Sequence, residues 1–179
     1  MTSRPAPMIL VASALAAILA GCAPASEQAP TSTGAFADEA EAFAAAEETY
    51  RAYVDALNAV DLSDPATFED VYAWTTGELN TQERQQLSQM HADGWVVDGS
   101  TVITNFVGDE LNADELPTVV ATVCSNVEGV TVVDAEGNSV VGSDRPEVYT
   151  LTVNFDSDST SPTGLLISSS NAIESSTCS

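Results

Sequence analysis

Residue types able to do covalent, redox or acid–base chemistry are scarce in this chain: three cysteines and one histidine, with carboxylates otherwise. Cys22 directly follows an apolar run, residues 8–19, and the small residues Ala20 and Gly21. A thiolate is a good nucleophile, so a cysteine at that place is a candidate for covalent modification. Cys124 and Cys178 remain as an even pair, which in an oxidising compartment predicts a disulfide. There is no Cys-x-x-Cys spacing and only His91, so no metal site is expected and no cofactor is assigned. His91, in "MHADGW", is the one side chain whose ordinary pKa lies near neutrality. It reads either as a general base assisted by Asp93 or another carboxylate, or as a ring at a helix C-terminus that suits the dipole and bonds the last carbonyls. Tyr50, Tyr53, Tyr72, Trp74 and Trp95 offer flat apolar surface with a polar tip, for a cavity wall or for an ordinary core. The candidate pocket is Tyr50, Tyr53, Trp74, His91 and Trp95. The 27 acids show no spacing that selects a catalytic pair, so no catalytic residue is assigned. "DSDST", residues 156–160, alternates acids but lacks the central glycine and late glutamate of an EF-hand, and it reads as a solvated turn.

"LAGC", closing the apolar run, resembles the bacterial lipobox. That resemblance implies a lipoprotein signal peptide over residues 1–21, cleavage before Cys22, and acyl chains on the new N-terminus. A permanent membrane span needs about 20 apolar residues, so this run is too short for one. More than one acyl chain, at about 0.8 kcal/mol per buried methylene, gives stable anchoring. Ordinary secretion with cleavage at a neighbouring small residue is the alternative, and both readings place the domain outside the cytoplasm. Residues 22–35, with "APASEQAPTSTGA" after the cysteine, have the composition of a solvated tether.

All 27 acids lie beyond the leader, opposed there by Arg51, Arg84 and Arg145 alone, and the chain has no lysine. A field of that sign repels phosphate backbones, so nucleic-acid binding is excluded. It also disfavours attachment to anionic headgroups through a basic patch, which leaves the anchor at Cys22 as the membrane contact. The expected partners are thus the membrane, through Cys22, and a small hydrophobic ligand or an envelope protein.

Residues 36–179 read as one domain. Residues 36–60 place Phe36, Ala40, Phe43, Tyr50, Val54 and Leu57 at helical recurrence, with acids crowding the first turns where the dipole favours them. Asp64-Pro65 predicts a cap and first helical position for a second helix through Trp74, ended by Gly77. A third helix is expected from Asn80 or Thr81 to just before Gly94. The period then changes. "WVVDGSTVITNFV", "PTVVATVCSNVEGVTVVD", "NSVV", "EVYTLTVNF" and "TGLLISSS" are rich in β-branched residues and separated by turn formers, and they predict strands. Helices first and strands afterwards, with no helix-length connections between strands, predicts an α+β domain with an antiparallel sheet.

In this order of elements, with "YRAYVDALNAVDLSDPATFEDVYAWTTGE", "LSQMHADGWVV" and "SPTGLLISSS", the chain resembles the nuclear transport factor 2-like superfamily, particularly its secreted bacterial lipoprotein branch. The resemblance implies N-terminal helices packed on a curved antiparallel sheet, a cone enclosing a cavity. Members use that cavity for ligands, for catalysis on hydrophobic ring-containing molecules, or not at all. The leading expectation is an extracytoplasmic, membrane-anchored binding or interaction module. The alternative is an enzyme in the same cavity, with His91 or a buried carboxylate as base.

Overall fold

The computed structural model describes residues 36–114, 116–175 and 177–178. The expected leader, Cys22 and the tether lie outside the described residues. Among those described, no helix is long and apolar enough to cross a membrane.

Helix α1, Glu39–Asn58, starts where the sequence supplies its cap. The Asp38 carboxylate accepts from the Glu41 amide at 2.9 Å, while the Glu41 side chain reaches back to the Ala37 amide at 2.7 Å. Two orphan donors are thereby satisfied reciprocally. The buried face is Ala42, Ala46, Thr49, Tyr50, Tyr53 and Val54, rotated from the expected stripe: Ala40 is exposed and Phe43 half-buried. Small Ala42 and Ala46 let the helix lie close to the sheet, and the Phe43 ring occupies the space that a side chain at Gly108 would need.

The next segment departs from expectation. Asp64 does cap, but it caps a single 3-10 turn, Pro65–Thr67, followed by the short α2, Phe68–Tyr72. Gly77 does not end that helix; it opens α3, Gly77–Ala92, with a backbone φ of 56°. The cause is tertiary. The amide of Thr76 donates to Ile167 O at 2.8 Å and the amide of Ile167 to Trp74 O at 3.0 Å, so the chain between the helices is held on a strand edge. Local propensity does not report that pairing.

The strands are β1, Val96–Asp98; β2, Val102–Asn112; β3, Thr118–Asn126; β4, Thr131–Val133; β5, Val148–Ser157; and β6, Leu165–Ile173. Four form an antiparallel sheet in the order β2-β3-β5-β6, and β1 pairs with β4 as a separate antiparallel ribbon. Strand β2 runs beyond Val107 to Asn112, because register shifts at Ile103/Asn105 and Gly108/Glu110 conceal the alternation. Such bulges bend a strand and increase its twist, which curves the sheet. "NSVV" forms only a bridge between Val133 and Ser139, since the Asp134 carboxylate caps the turn at the amides of Glu136 and Asn138.

Val119, Ala121, Val123, Val153, Phe155, Leu165 and Ile167 are fully buried and form the sheet's contribution to the core beneath the helices. The expected architecture, helices on a curved antiparallel sheet, is therefore observed. The predicted pair is joined as well: Cys124 and Cys178 form a disulfide with 5.5 Å between Cα atoms, tying the chain end to β3.

Candidate functional site

Helix α3 places Glu83, Gln86, Leu87 and Met90 on one face by the i, i+3, i+4, i+7 rule. Opposite them lie Leu57 and Asn58 near the end of α1, then Val60 and Leu62. The β1–β4 ribbon closes another side with Val97, Val130 and Val132. Together these residues enclose a partly open cavity of about 260 Å³.

Backbone contacts hold the walls in place. The Asn58 side chain pairs with Thr101 like a short strand, donating to its carbonyl at 2.9 Å and accepting from its amide at 2.8 Å. Gly99 has a φ of 89° and lies so close to Gly129 O that a Cβ would collide with it, so only glycine lets the two loops meet. Arg145 donates through Nη2 to the carbonyls of Val127 and Val130, at 3.0 and 2.9 Å, which fixes the loop leading into β4.

The chemistry of the cavity is concentrated in Glu83. Its Oε1 accepts the Tyr53 hydroxyl at 2.5 Å, whereas among the described residues its Oε2 has no protein donor. Burial raises the Glu83 pKa above the ordinary carboxylate value, and the Tyr53 hydrogen bond offsets part of that shift. Tyr53 is raised well above the ordinary phenol value by its own burial and then by the Glu83 charge. Tyr50, whose ring centroid is 5.8 Å from that of Tyr53, is pushed up to about 12 by burial, with a Ser170 hydrogen bond opposing and Glu83 adding. Among the described residues, no arginine pairs with the carboxylate. Arg84 stacks 3.9 Å above the Tyr72 ring and approaches Glu69 at 3.8 Å, and Arg51 pairs with Glu47 at 2.7 Å.

The sequence-expected pocket residues are distributed differently from the cavity. Tyr50 and Tyr53 are buried in the core, and only Tyr53 reaches the site, through Glu83. Trp74 is half-buried against the core. Trp95 lines a separate shallow groove that shares Val60, Leu62 and Val97 with the cavity. His91 does not line the cavity: in the last turn of α3 its Nδ1 sits 2.6 Å from Leu62 O, outside its own helix and in place of the expected last carbonyls, and its ring meets Phe68 edge-on. Asp93 turns to the Gln89 amide instead of the imidazole. In "DSDST", the Asp158 carboxylate accepts from the Thr160 amide and hydroxyl, the local turn expected there.

Sequence reasoning did not single out Glu83 among 27 acids. One signal was present: Leu79, Glu83 and Leu87 recur every four residues, so the buried stripe of α3 contains a carboxylate.

No protein-family model matches the chain, and no curated protein matches it in sequence. Solved structures do match. The intermembrane space region of the chloroplast protein ARC6 aligns with a TM-score of 0.53 at 16% identity, covering 74% of this chain and 97% of its own. At that identity the likeness is one of fold alone. The periplasmic domain of DotI aligns at 0.45 and 14% identity, over 77% of this chain and 96% of that one. An NTF2-like protein of unknown function from Exiguobacterium sp. 255-15 aligns at 0.34 and 12% identity, over 71% of this chain and 99% of that one.

Proposed function

We propose that this protein is a lipid-anchored extracytoplasmic binding module. In this reading Cys22 carries acyl chains, residues 22–35 hold the domain off the bilayer, and a nuclear transport factor 2-like domain receives a small, largely apolar molecule. The observation that carries the reading is the cavity between α1, α3 and the β1–β4 ribbon, walled mostly by apolar side chains with one half-buried carboxyl group. Apolar walls with few convergent polar groups are the usual character of small-molecule sites. Its 260 Å³ falls just below the range of about 300–1,000 Å³ typical for drug-sized ligands, so the occupant is small.

A membrane preparation from the source cell tests the reading. Native mass spectrometry of the purified chain is expected to show a lipid increment on the peptide beginning at Cys22 and a co-purifying small molecule. Cys22→Ser should leave the protein outside the membrane fraction. Membrane retention of that variant overturns the anchor, and a domain that protects none of its cavity residues from labelling overturns the binding role.

A second reading, an enzyme acting on a hydrophobic ring-containing substrate, draws on the same carboxyl. Burial raises the Glu83 pKa, which makes its carboxylate a better proton acceptor than an exposed one. The residue carrying proton transfer in that reading is Glu83, because His91 already faces Leu62 O. Turnover lost in Glu83→Gln with binding retained favours the enzyme; binding lost without any turnover in the parent favours the module.

A further inference from the structure

Glu83 allows a narrower statement about the occupant, resting on the binding-module reading above. The described cavity wall is otherwise uncharged: Leu57, Leu87, Met90 and Val132 are apolar, while Asn58 and Gln86 are neutral. One carboxylate oxygen is committed to the Tyr53 hydroxyl, and the other has no donor among the described residues. Arg51, Arg84 and Arg145 are each engaged elsewhere, with Glu47, with Tyr72 and Glu69, and with backbone carbonyls. The chain carries a net charge of −23, which draws cations toward any cleft and repels anions from it. Glu83 is half-buried and its free oxygen still meets solvent, so this acceptor at the apolar wall is accessible to a cationic donor entering from outside. No aromatic ring lines the cavity, so the cage that suits a quaternary ammonium is missing from its described walls. An N–H donor is therefore the better match than a bare charge.

We infer that the cavity takes a small primary or secondary ammonium compound with an aliphatic body, its N–H donating to Glu83 Oε2 and its chain lying against Leu57, Leu87, Met90 and Val132. Anionic molecules of the same size are excluded, and neutral ones bind more weakly.

The test uses four probes of one chain length against the full chain in detergent: hexylamine, 1-hexanol, hexanoate and hexyltrimethylammonium, each by titration calorimetry. Hexylamine is expected to bind at least about tenfold more tightly than 1-hexanol, as a charge-assisted hydrogen bond provides. Hexanoate should give no heat, and the trimethylated probe should fall to the level of the alcohol or below. Glu83→Gln, which keeps an acceptor for Tyr53, should remove the advantage of the amine and leave the alcohol within about twofold. Val97→Phe, a change at the exposed ribbon, should weaken every probe by filling the cavity. Equal binding of amine and alcohol, unchanged by Glu83→Gln and lost in Val97→Phe, overturns the ammonium inference while sustaining the cavity. Binding indifferent to both variants, or no binding by any probe, overturns the cavity as a ligand site and this inference with it.

Discussion

Replacing Cys178 with alanine isolates what the cross-link contributes. The disulfide spans a sequence separation of 54, and inside that loop lie β4, β5 and β6. In the chain-entropy treatment, closing a loop of that length removes roughly 4 kcal/mol of freedom from the unfolded chain at 25 °C. Little native packing is lost, because Cys178 is only half-buried, while Cys124 keeps its place in β3 at 3% exposure and stays shielded from exchange. The loss therefore resides mainly in the unfolded ensemble. Urea unfolding followed by circular dichroism is the assay. With a slope of about 2 kcal/mol per molar, the midpoint should fall by about 2 M. The slope itself should rise, since an uncrosslinked chain exposes more surface when it unfolds. The parent protein in strong reductant should follow the variant's curve. A loss below about 1 kcal/mol with an unchanged slope would refute the reasoning, because the loop would then not be what the bond constrains.

Two further outcomes follow from buried groups. The Glu83 pKa is raised in the folded protein above the ordinary 4.5, so from there upward the unfolded chain loses its proton first and stability falls with pH until the folded group ionises too. The stability that Glu83 contributes is thus full below 4.5 and lost as pH rises through the folded pKa; the facing groups Tyr50, Tyr53 and Tyr72 are all raised and remain neutral over this window. Glu83→Gln should accordingly gain on the parent as pH increases in urea titrations, and a stability difference, variant minus parent, that is constant or falls with pH contradicts the burial. Gly108→Ala should cost about 1–3 kcal/mol because its methyl meets the Phe43 ring. In a Phe43→Ala background that cost should drop below about 0.5 kcal/mol, and additive losses in thermal or urea unfolding would show that the ring is not the obstacle.

Much of the fold was legible because the interactions that produce it are local. The acids expected at the start of α1 lie there, with Glu39 and Glu41 in its first turn, and Asp64 caps the turn at Pro65. The even pair Cys124 and Cys178 is joined as parity predicted. Where local preference met a distant partner, the reading changed: Gly77 became the start of α3 because Thr76 and Trp74 bond to Ile167, and Phe43 left the expected stripe to cover Gly108.

By itself the sequence determined the class of architecture, the sign of the surface charge and the cysteine pairing, since composition, period and parity follow from residue types along one chain. The tertiary structure decided which acid among 27 lines the cavity; the spacing of Leu79, Glu83 and Leu87 signalled only a carboxylate on a buried stripe. Glu83 is distinguished by what surrounds it: a Tyr53 hydroxyl thirty residues earlier, a ribbon contributing Val97 and Val132, and described arginines that are paired elsewhere. The extent of desolvation is set by neighbours gathered from distant parts of the chain, which the spacing along one helix does not encode.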